Sequence, residues 1–182
     1  MSDVILITGG SGGTAQAIKT ILIDGDKNVL APSRNILDVA SPYDVMDFMR
    51  DNPPSILINC AGFIKPDSVV DSDIDEWEKQ IAVNLLGTYY CTHYALQNGA
   101  KTIINIASAG GVKGRKDWSA YCAAKAGVIS FTESLVEEGV DAYCVSPHRI
   151  DTKMRHSLFP YEDANSLISP ESIKGDFRYC KW

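Results

Sequence analysis

The chain of 182 residues lacks several features that would each define a class of protein. It has no apolar run close to the ~20 residues that span a bilayer, and its start does not resemble a signal peptide. It has no excess of basic residues, since its formal charge is −6, which argues against a general nucleic-acid binder. It also has no repeat, low-complexity tract or break in composition. We therefore expect a single cytoplasmic domain over residues 1–182, with no membrane or nucleic-acid partner.

The cysteines are scattered along the chain. The cysteines are odd in number and lie mostly in apolar segments, which favours reduced thiols in a cytosolic core over a disulfide framework or a zinc site. The sequence therefore predicts no metal site. The five cysteines are Cys60, Cys91, Cys122, Cys144 and Cys180.

Short apolar runs alternate along the chain with longer amphipathic stretches, as in a parallel sheet covered by helices. The predicted strands are Val4–Thr8, Val29–Ala31, Ile56–Asn59, Thr102–Ile106 and Ala142–Val145. The predicted helices are Thr14–Ile23, Pro42–Arg50, Asp75–Gln97 and Ser119–Glu138. This order predicts an α/β fold with a doubly wound parallel sheet of the Rossmann type.

The interval after the second predicted strand is short. A crossover between parallel strands needs at least ~10–12 residues. Only residues 33–38 separate this strand from the turn that leads into the next helix. A further helix and strand do not fit there. We therefore predict a sheet that is clipped after strand 2, which means that the strand usually found beyond strand 2 is missing or vestigial.

The segment TGGSGGTA, residues 8–15, follows the first predicted strand. Glycines at a strand-to-helix turn let backbone N–H groups approach a pyrophosphate, and the helix N-terminus adds positive potential. The segment fits three dinucleotide-binding patterns: G-x-G-x-x-A from Gly10, G-x-x-G-x-x-A from Gly9, and T-G-x-x-x-G-x-A from Thr8. Each pattern ends at Ala15 and suggests a different class of enzyme, so the loop by itself does not decide between them.

The end of the second predicted strand bears on the choice of cofactor. An NAD site has Asp or Glu there, which accepts hydrogen bonds from the ribose 2′-hydroxyl. Here the position holds Ser33, and Arg34 follows it. A guanidinium at this place can hold a 2′-phosphate through a bidentate hydrogen bond, which favours NADP(H) over NAD(H). The alternative is an arginine that only faces solvent.

Tyr121 and Lys125 are spaced to share one face of the last predicted helix. A tyrosine hydroxyl has a reference pKa of ~10, and a nearby ammonium lowers it towards the range in which acid–base catalysis works. Ser108 follows the fourth predicted strand, at the edge where open α/β sheets bind ligands, and its hydroxyl can donate to a substrate carbonyl. Taken singly, such a pair is more often a surface pair and such a serine more often a turn residue.

Taken together, the motifs of this chain resemble those of the short-chain dehydrogenase/reductase family, from Val4 to about Met154. In the family's order they are the glycine loop, LDV at Leu37–Val39, NCAG at Asn59–Gly62, Asn84 in VNLLGTYY, Ser108, Tyr121, Lys125, and Pro147 and Thr152 in SPHRIDT. This resemblance favours the T-G-x-x-x-G-x-A reading of the loop. In that reading Ala15 falls where helix and strand pack, rather than against the pyrophosphate.

The resemblance also implies roles for individual residues. Tyr121 would be the general acid in reduction and the general base in oxidation, and Lys125 would lower its pKa and hold the nicotinamide ribose. Ser108 would polarise the substrate carbonyl, and Asn84 would anchor a water that links Lys125 to solvent. With the two residues at the end of the second strand, the predicted cofactor-binding set is Gly9, Ser11, Gly12, Gly13, Thr14, Ser33, Arg34, Asp38, Val39, Asn59, Ala61, Gly62, Tyr121, Lys125, Pro147, Ile150 and Thr152.

The chain departs from the family pattern at three places. Cys60 stands where the second Asn of NNAG is usual, and His148 replaces a usual glycine. The chain also ends soon after the last predicted strand; residues Phe177–Trp182 alternate as a final strand does, but no helix precedes them. The sequence thus leaves open whether the sheet has a full last strand. We expect a homodimer through the helices that carry Asn84 and Tyr121, whereas a tetramer depends on that strand.

Basic residues flank the proposed catalytic set, which in an acidic protein indicates a phosphate or carboxylate on the substrate unless they only face solvent. They are Lys113, Arg115, Lys116, Arg149, Lys153, Arg155 and His156. The predicted function is an NADP(H)-dependent oxidoreductase that interconverts a carbonyl and an alcohol on a small, sugar-like or anionic substrate. Two alternatives are a non-catalytic nucleotide-binding regulator and a nucleotide-sugar epimerase, which would use the pattern from Gly9 and normally has an extra substrate domain.

Overall fold

Five parallel strands form one sheet in the order β2-β1-β3-β4-β5 in the computed structural model, which describes residues 4–23, 27–147 and 149–169. The strands are β1 (Val4–Ile7), β2 (Asn28–Leu30), β3 (Ile56–Asn59), β4 (Thr102–Ile106) and β5 (Asp141–Val145). All five predicted strands are confirmed, and each boundary agrees to within one residue.

Helices connect the strands. They are α1 (Gly13–Ile23), α2 (Pro42–Asp51), α3 (Ile74–Ile81), α4 (Gly87–Gln97), α5 (Ala109–Val112), α6 (Ser119–Glu137) and α7 (Lys153–Leu158), with a π-helical turn (Ala82–Leu86) between α3 and α4 and a 3₁₀ turn (Ala164–Ser166) after α7. The four predicted helices are present, but the third is interrupted by the π-helical turn. Within the described ranges, no helix is long and apolar enough to cross a membrane.

Helices cover both faces of the sheet, because successive residues of a strand point to opposite faces. In β1, Leu6 belongs to a core cluster with residues of α2, α4 and α6, whereas Ile5 and Ile7 belong to a second cluster with residues of α1. The same division recurs in β3, where Leu57 joins the first cluster and Ile58 the second. The prediction of a doubly wound α/β sheet is therefore confirmed.

Strand β2 forms one edge of the sheet, and no further strand pairs with it among the described residues. After β2 the chain makes a turn in which the amides of Ile36 and Leu37 both donate to the carbonyl of Ser33, at 3.0 Å. The chain then enters α2, and the predicted clipping of the sheet after strand 2 is confirmed. The segment Phe177–Trp182, for which the sequence leaves a final strand open, lies outside the described residues, as does His148.

Candidate active site

The glycine loop is tied to the end of β3. The Thr8 hydroxyl accepts hydrogen bonds from the amides of Cys60 and Ala61, both at 3.0 Å. Gly9 has a φ of 70°, and a Cβ added to it would lie 2.7 Å from the Cα of Ala61. Both the positive φ and the close approach require glycine. Thr8 and Gly9 therefore fix the direction in which the loop leaves the sheet.

Helix α1 begins directly at the loop, with Gly13 as its first residue. A Cβ on Gly13 would lie 3.2 Å from Cγ2 of Thr152, so a larger residue would narrow the space in front of the helix. A helix N-terminus offers backbone N–H donors and positive potential to a phosphate. Ala15 is fully buried in the core cluster of Ile5 and Ile7, although it also contributes to the wall in front of the helix. The core therefore accommodates its methyl group.

The loop opens onto a groove of about 550 Å³ at the carboxyl ends of β1, β2 and β3, here called the cofactor groove. Loop amides, a helix N-terminus and the Arg34 guanidinium border it, and this donor set fits a nicotinamide dinucleotide with a 2′-phosphate. The predicted cofactor-binding residues that line it are Gly9, Ser11, Gly12, Gly13, Thr14, Arg34, Asp38, Val39, Ala61, Gly62 and Thr152.

Two predicted cofactor-binding residues line neither this groove nor the neighbouring cavity that contains Ser108 and Tyr121, which is described below. Ser33 lies in the turn after β2, where its carbonyl accepts two amides. Asn59 is buried, and its Nδ2 donates to Oγ1 of Thr92 at 3.0 Å and to Oδ1 of Asn105 at 2.9 Å. Strand alternation turns the Asn59 side chain to the same face as Leu57, where it joins the sheet to α4.

Arg34 and Asp38 form an ion pair at the mouth of the cofactor groove, with Nη2 of Arg34 3.4 Å from Oδ2 of Asp38. Their side chains are 64% and 32% exposed. An exposed pair with such a long contact contributes little to stability, so the guanidinium can turn towards a phosphate at low cost.

Asn84 lies in the π-helical turn between α3 and α4 and is fully buried. Its Nδ2 donates to the carbonyls of Phe63 and Gln80, both at 2.8 Å. The carbonyl of Gln80 is four residues back, so the side chain occupies an acceptor that an α-helix would use for its own backbone. Oδ1 of Asn84 has no hydrogen-bond partner among the described residues, and a Cβ on Gly62 would lie 2.6 Å from it. This atom is a buried acceptor without a donor among the described residues, and Asn84 and Gly62 line the same cavity.

Lys125 is buried on α6, and its Nζ donates to the carbonyl of Ile106 at 2.7 Å. Burial disfavours the charged form and lowers the pKa of Lys125 to about 8. Cys60 is close to it, and burial raises the pKa of the Cys60 thiol to about 12. The ammonium is therefore the charged group of the pair at neutral pH.

Tyr121 is mostly enclosed, and its environment has opposing effects on its pKa. Burial raises the pKa of Tyr121, whereas a hydrogen bond with Ser108 and the charge of Arg115 lower it, and burial dominates. The net pKa of Tyr121 is therefore raised rather than lowered, because burial outweighs the groups that favour the phenolate; the Lys125 ammonium donates to the Ile106 carbonyl and lies 5.9 Å from the centroid of the Tyr121 ring.

The four predicted catalytic residues share one cavity of about 160 Å³, here called the catalytic cavity. The predicted residues that line it are Asn84, Ser108, Tyr121, Lys125, Pro147, Ile150, Thr152, Thr14 and Gly62. It adjoins the cofactor groove, because Thr14, Cys60, Gly62, Thr152 and Met154 line both. In the part of the chain that the structure describes, no three His, Cys, Asp or Glu side chains are placed to hold a metal ion.

Sequence reasoning missed several residues of the catalytic cavity. Trp118 lines it and packs edge-on against Tyr121, with ring centroids 5.8 Å apart. Its position three residues before Tyr121, one helical turn away, is a signal that could have identified it. Of the basic residues near the catalytic set, Arg149 and Arg155 line this cavity, and Lys153 lines the cofactor groove. The others, including Lys116, line neither.

A family model described as short chain dehydrogenase matches residues 52–163. The chain belongs to this family. Short chain dehydrogenases are oxidoreductases, so the protein is a dehydrogenase/reductase that works with a nicotinamide dinucleotide. An uncharacterized oxidoreductase of Staphylococcus aureus strain N315 is 28% identical over 202 aligned positions, covering 93% of this chain and 87% of that protein. A human (3R)-3-hydroxyacyl-CoA dehydrogenase is 39% identical over 115 positions, covering 58% of this chain and 44% of that protein.

Several solved structures have the same fold. The structure of ElxO with NADP bound superposes with a TM-score of 0.86 at 23% identity, covering 100% of this chain and 92% of the other. Ligand-free aldohexose dehydrogenase of Thermoplasma acidophilum superposes with a TM-score of 0.85 at 23% identity, covering 98% and 86%. At these identities the likeness establishes the architecture alone.

Proposed function

We propose that this short chain dehydrogenase interconverts a carbonyl and an alcohol on a small substrate by hydride transfer, with NADP(H) as cofactor and Tyr121 as general acid and base. The observation that carries the proposal is the convergence of Asn84, Ser108, Tyr121 and Lys125 in one cavity that adjoins the cofactor groove. A nucleotide-binding protein without catalysis would not need these four side chains together.

In the direction of reduction, the bound nicotinamide supplies a hydride to the carbonyl carbon. Ser108 donates its hydroxyl hydrogen to the carbonyl oxygen and stabilises the negative charge that develops there. Tyr121 gives its proton to that oxygen and completes the alcohol. The raised pKa of Tyr121 keeps its hydroxyl protonated at neutral pH, which is the form that a general acid needs.

Lys125 and Asn84 support the proton transfer. The ammonium of Lys125 lies on the same helix face as Tyr121 and stabilises the phenolate left after the proton has moved. The free Oδ1 of Asn84, buried beside Gly62, can hold a water that carries a proton from solvent towards Lys125. Both residues act through Tyr121, so we assign them positioning and relay roles.

The preference for NADP(H) rests on Arg34. Its exposed, weakly paired guanidinium lines the cofactor groove where the ribose 2′-phosphate would lie, and Asp38 lies beside it. Similar structures include ElxO with NADP bound and a single-residue variant of ElxO with NADPH bound. Lys153, at the start of α7, adds a second positive charge to the same groove.

The expected homodimer is part of the proposal. The helical segment that carries Asn84 exposes Leu86 and Tyr89, which are 40% and 45% exposed, and α6 exposes Val136 at 50%. Apolar side chains on these helices suit contact with a second copy. Analytical ultracentrifugation should give the mass of a dimer, and a monomer would refute this part.

The proposed function is tested by titrating the protein with NADPH and with NADH, followed by intrinsic fluorescence, and then by screening carbonyl compounds for NADPH oxidation. We expect tighter binding of NADPH and turnover of at least one carbonyl. Tightly retained NAD without net oxidation of NADPH would instead favour the epimerase reading.

A further inference from the structure

The catalytic cavity is positively charged. Its charged lining residues are Lys125, Arg149 and Arg155, and no Asp or Glu lines it among the described residues. The chain as a whole has a formal charge of −6, so the excess of positive charge in the cavity is opposite in sign to the net charge of the chain. Lys125 is engaged beside Tyr121, which leaves two arginines at the other side of the cavity without a proposed task.

Arg155 is held rigidly. Its side chain is 15% exposed, and Nε and Nη2 donate to the two carboxylate oxygens of Glu162 at 2.6 and 2.7 Å. The guanidinium also lies 4.0 Å from the centroid of the Phe159 ring. Phe159 packs on Trp118 at 5.8 Å, and Trp118 packs on Tyr121 at 5.8 Å. This series of ring contacts fixes Arg155 relative to the reacting hydroxyl.

Arg149 is held loosely. Its Nη1 donates to Oε1 of Glu162 at a long 3.3 Å, and the side chain is 59% exposed. Its backbone is nevertheless anchored, because the amide of Ile168 donates to the Arg149 carbonyl at 2.9 Å. Two guanidiniums therefore share the single carboxylate of Glu162, and one positive charge is left uncompensated at the wall of the cavity.

We infer that the substrate carries an oxyanion, a carboxylate or a phosphate, which Arg149 binds while Glu162 stays paired with Arg155. The carboxylate of Glu162 bridges both guanidiniums, so the Arg149 guanidinium lies close to the rigid pair of Arg155 and Glu162 at the wall of the cavity. Arg149 exchanges its long contact with Glu162 for the substrate anion, which a planar guanidinium can bind with two hydrogen bonds. The inference rests on the proposed function, because it concerns the substrate of that same cavity.

The test compares matched carbonyl compounds that differ in one anionic group. NADPH-dependent reduction is measured for dihydroxyacetone phosphate against dihydroxyacetone, and for acetoacetate against methyl acetoacetate. The first pair reports on phosphate and the second on carboxylate. Each pair is run with the wild-type protein, with Arg149→Gln, and with Lys116→Gln, which removes the same charge from an exposed residue that lines neither cavity.

We expect kcat/KM to be larger for the charged member of at least one pair. In Arg149→Gln the ratio of charged to uncharged kcat/KM should fall roughly 10–100-fold, the loss expected for a hydrogen bond between charged groups. Lys116→Gln should keep the wild-type ratio. Equal kcat/KM within both pairs, or a ratio that Arg149→Gln leaves unchanged, would overturn the inference.

If the protein turns over none of the four compounds, the result counts against the proposed function and not against the anion site. In that case calorimetric titration of the protein saturated with NADPH decides the inference, with inorganic phosphate and with acetate as probes. Saturation keeps the anions out of the cofactor groove. Binding of either anion that Arg149→Gln removes and Lys116→Gln retains supports the site. No binding, or equal binding by both variants, contradicts it.

Discussion

Lys125 lies one helical turn after Tyr121 on α6, with its Nζ 5.9 Å from the centroid of the Tyr121 ring. Burial acts on the two groups in opposite directions: it raises the pKa of Tyr121 and lowers the pKa of Lys125 to about 8. At neutral pH the hydroxyl is therefore protonated and the ammonium is charged. This combination is suited to giving a proton to a carbonyl oxygen and then stabilising the phenolate.

The lowered pKa of Lys125 has a consequence for stability. The unfolded chain holds this proton up to its ordinary pKa of 10.5, whereas the folded protein loses it at about 8. Between these values the unfolded chain binds more protons, so the free energy of unfolding should rise with pH, by up to about 1.4 kcal/mol per pH unit. Lys125→Met removes this contribution.

The measurement is urea unfolding of the wild type and of Lys125→Met from pH 7.5 to pH 10.5, a window that spans roughly the folded and unfolded pKa values of this lysine. The difference in free energy of unfolding should grow in favour of the wild type as pH rises through this window. The raised pKa of Cys60 acts in the opposite direction at higher pH and depends on the charge of Lys125, so the comparison is repeated with Cys60→Ser in both proteins. Lys116→Met controls for the loss of one positive charge. A difference that does not change with pH would contradict the burial of a charged Lys125.

Gly62 leaves room for the side-chain amide of Asn84. In Gly62→Ala the new Cβ would lie 2.6 Å from Oδ1 of Asn84, whose Nδ2 is already fixed by two carbonyls. We expect a loss of about 1–3 kcal/mol in the free energy of unfolding, as for other overpacked sites, and slower turnover. Gly114→Ala is the matched control, because nothing lies within 4 Å of its added Cβ. Equal melting temperatures for the two variants would refute the close approach.

Arg34 should discriminate between the two nicotinamide cofactors. Arg34→Ala is expected to weaken NADPH binding roughly 10–100-fold, the effect of removing a hydrogen bond between charged groups, and to leave NADH binding much less affected. Fluorescence titration with both cofactors measures this. Arg50→Ala removes an exposed arginine from α2, where it pairs with Asp47 at 2.7 Å, and should change neither affinity. Equal losses for NADPH and NADH in Arg34→Ala would contradict the assignment.

The architecture was largely predictable because each buried strand is a short apolar run and each long helix has a periodic pattern. The π-helical turn at Asn84 was not predictable, since the side chain of Asn84 donates both to the carbonyl of Gln80 and to that of Phe63, which only the tertiary fold brings against the helix. Helices α5 and α7, of four and six residues, are too short for periodicity to reveal.

The site was predictable where a residue follows a strand and faces the carboxyl edge of the sheet, as Ser108 and the glycine loop do. It was not predictable where the direction of a side chain depends on strand alternation, which turns the side chain of Asn59 into the core. The chain segment after β5 is a further case. The amide of Asp151 donates to the carbonyl of Ile168, and this return of the chain brings Glu162 against Arg155. Sequence spacing alone could not show that Arg149 and Arg155 line the catalytic cavity whereas the other basic residues that flank the catalytic set do not.

Turnover by Tyr121→Phe tests the central claim most directly. Loss of the hydroxyl should reduce kcat for NADPH-dependent carbonyl reduction roughly 10²–10⁴-fold, the usual contribution of a general acid, and leave NADPH affinity unchanged. Tyr161→Phe, at a position 99% exposed, should retain wild-type turnover. Undiminished kcat in Tyr121→Phe would contradict the assignment of Tyr121 as the proton donor.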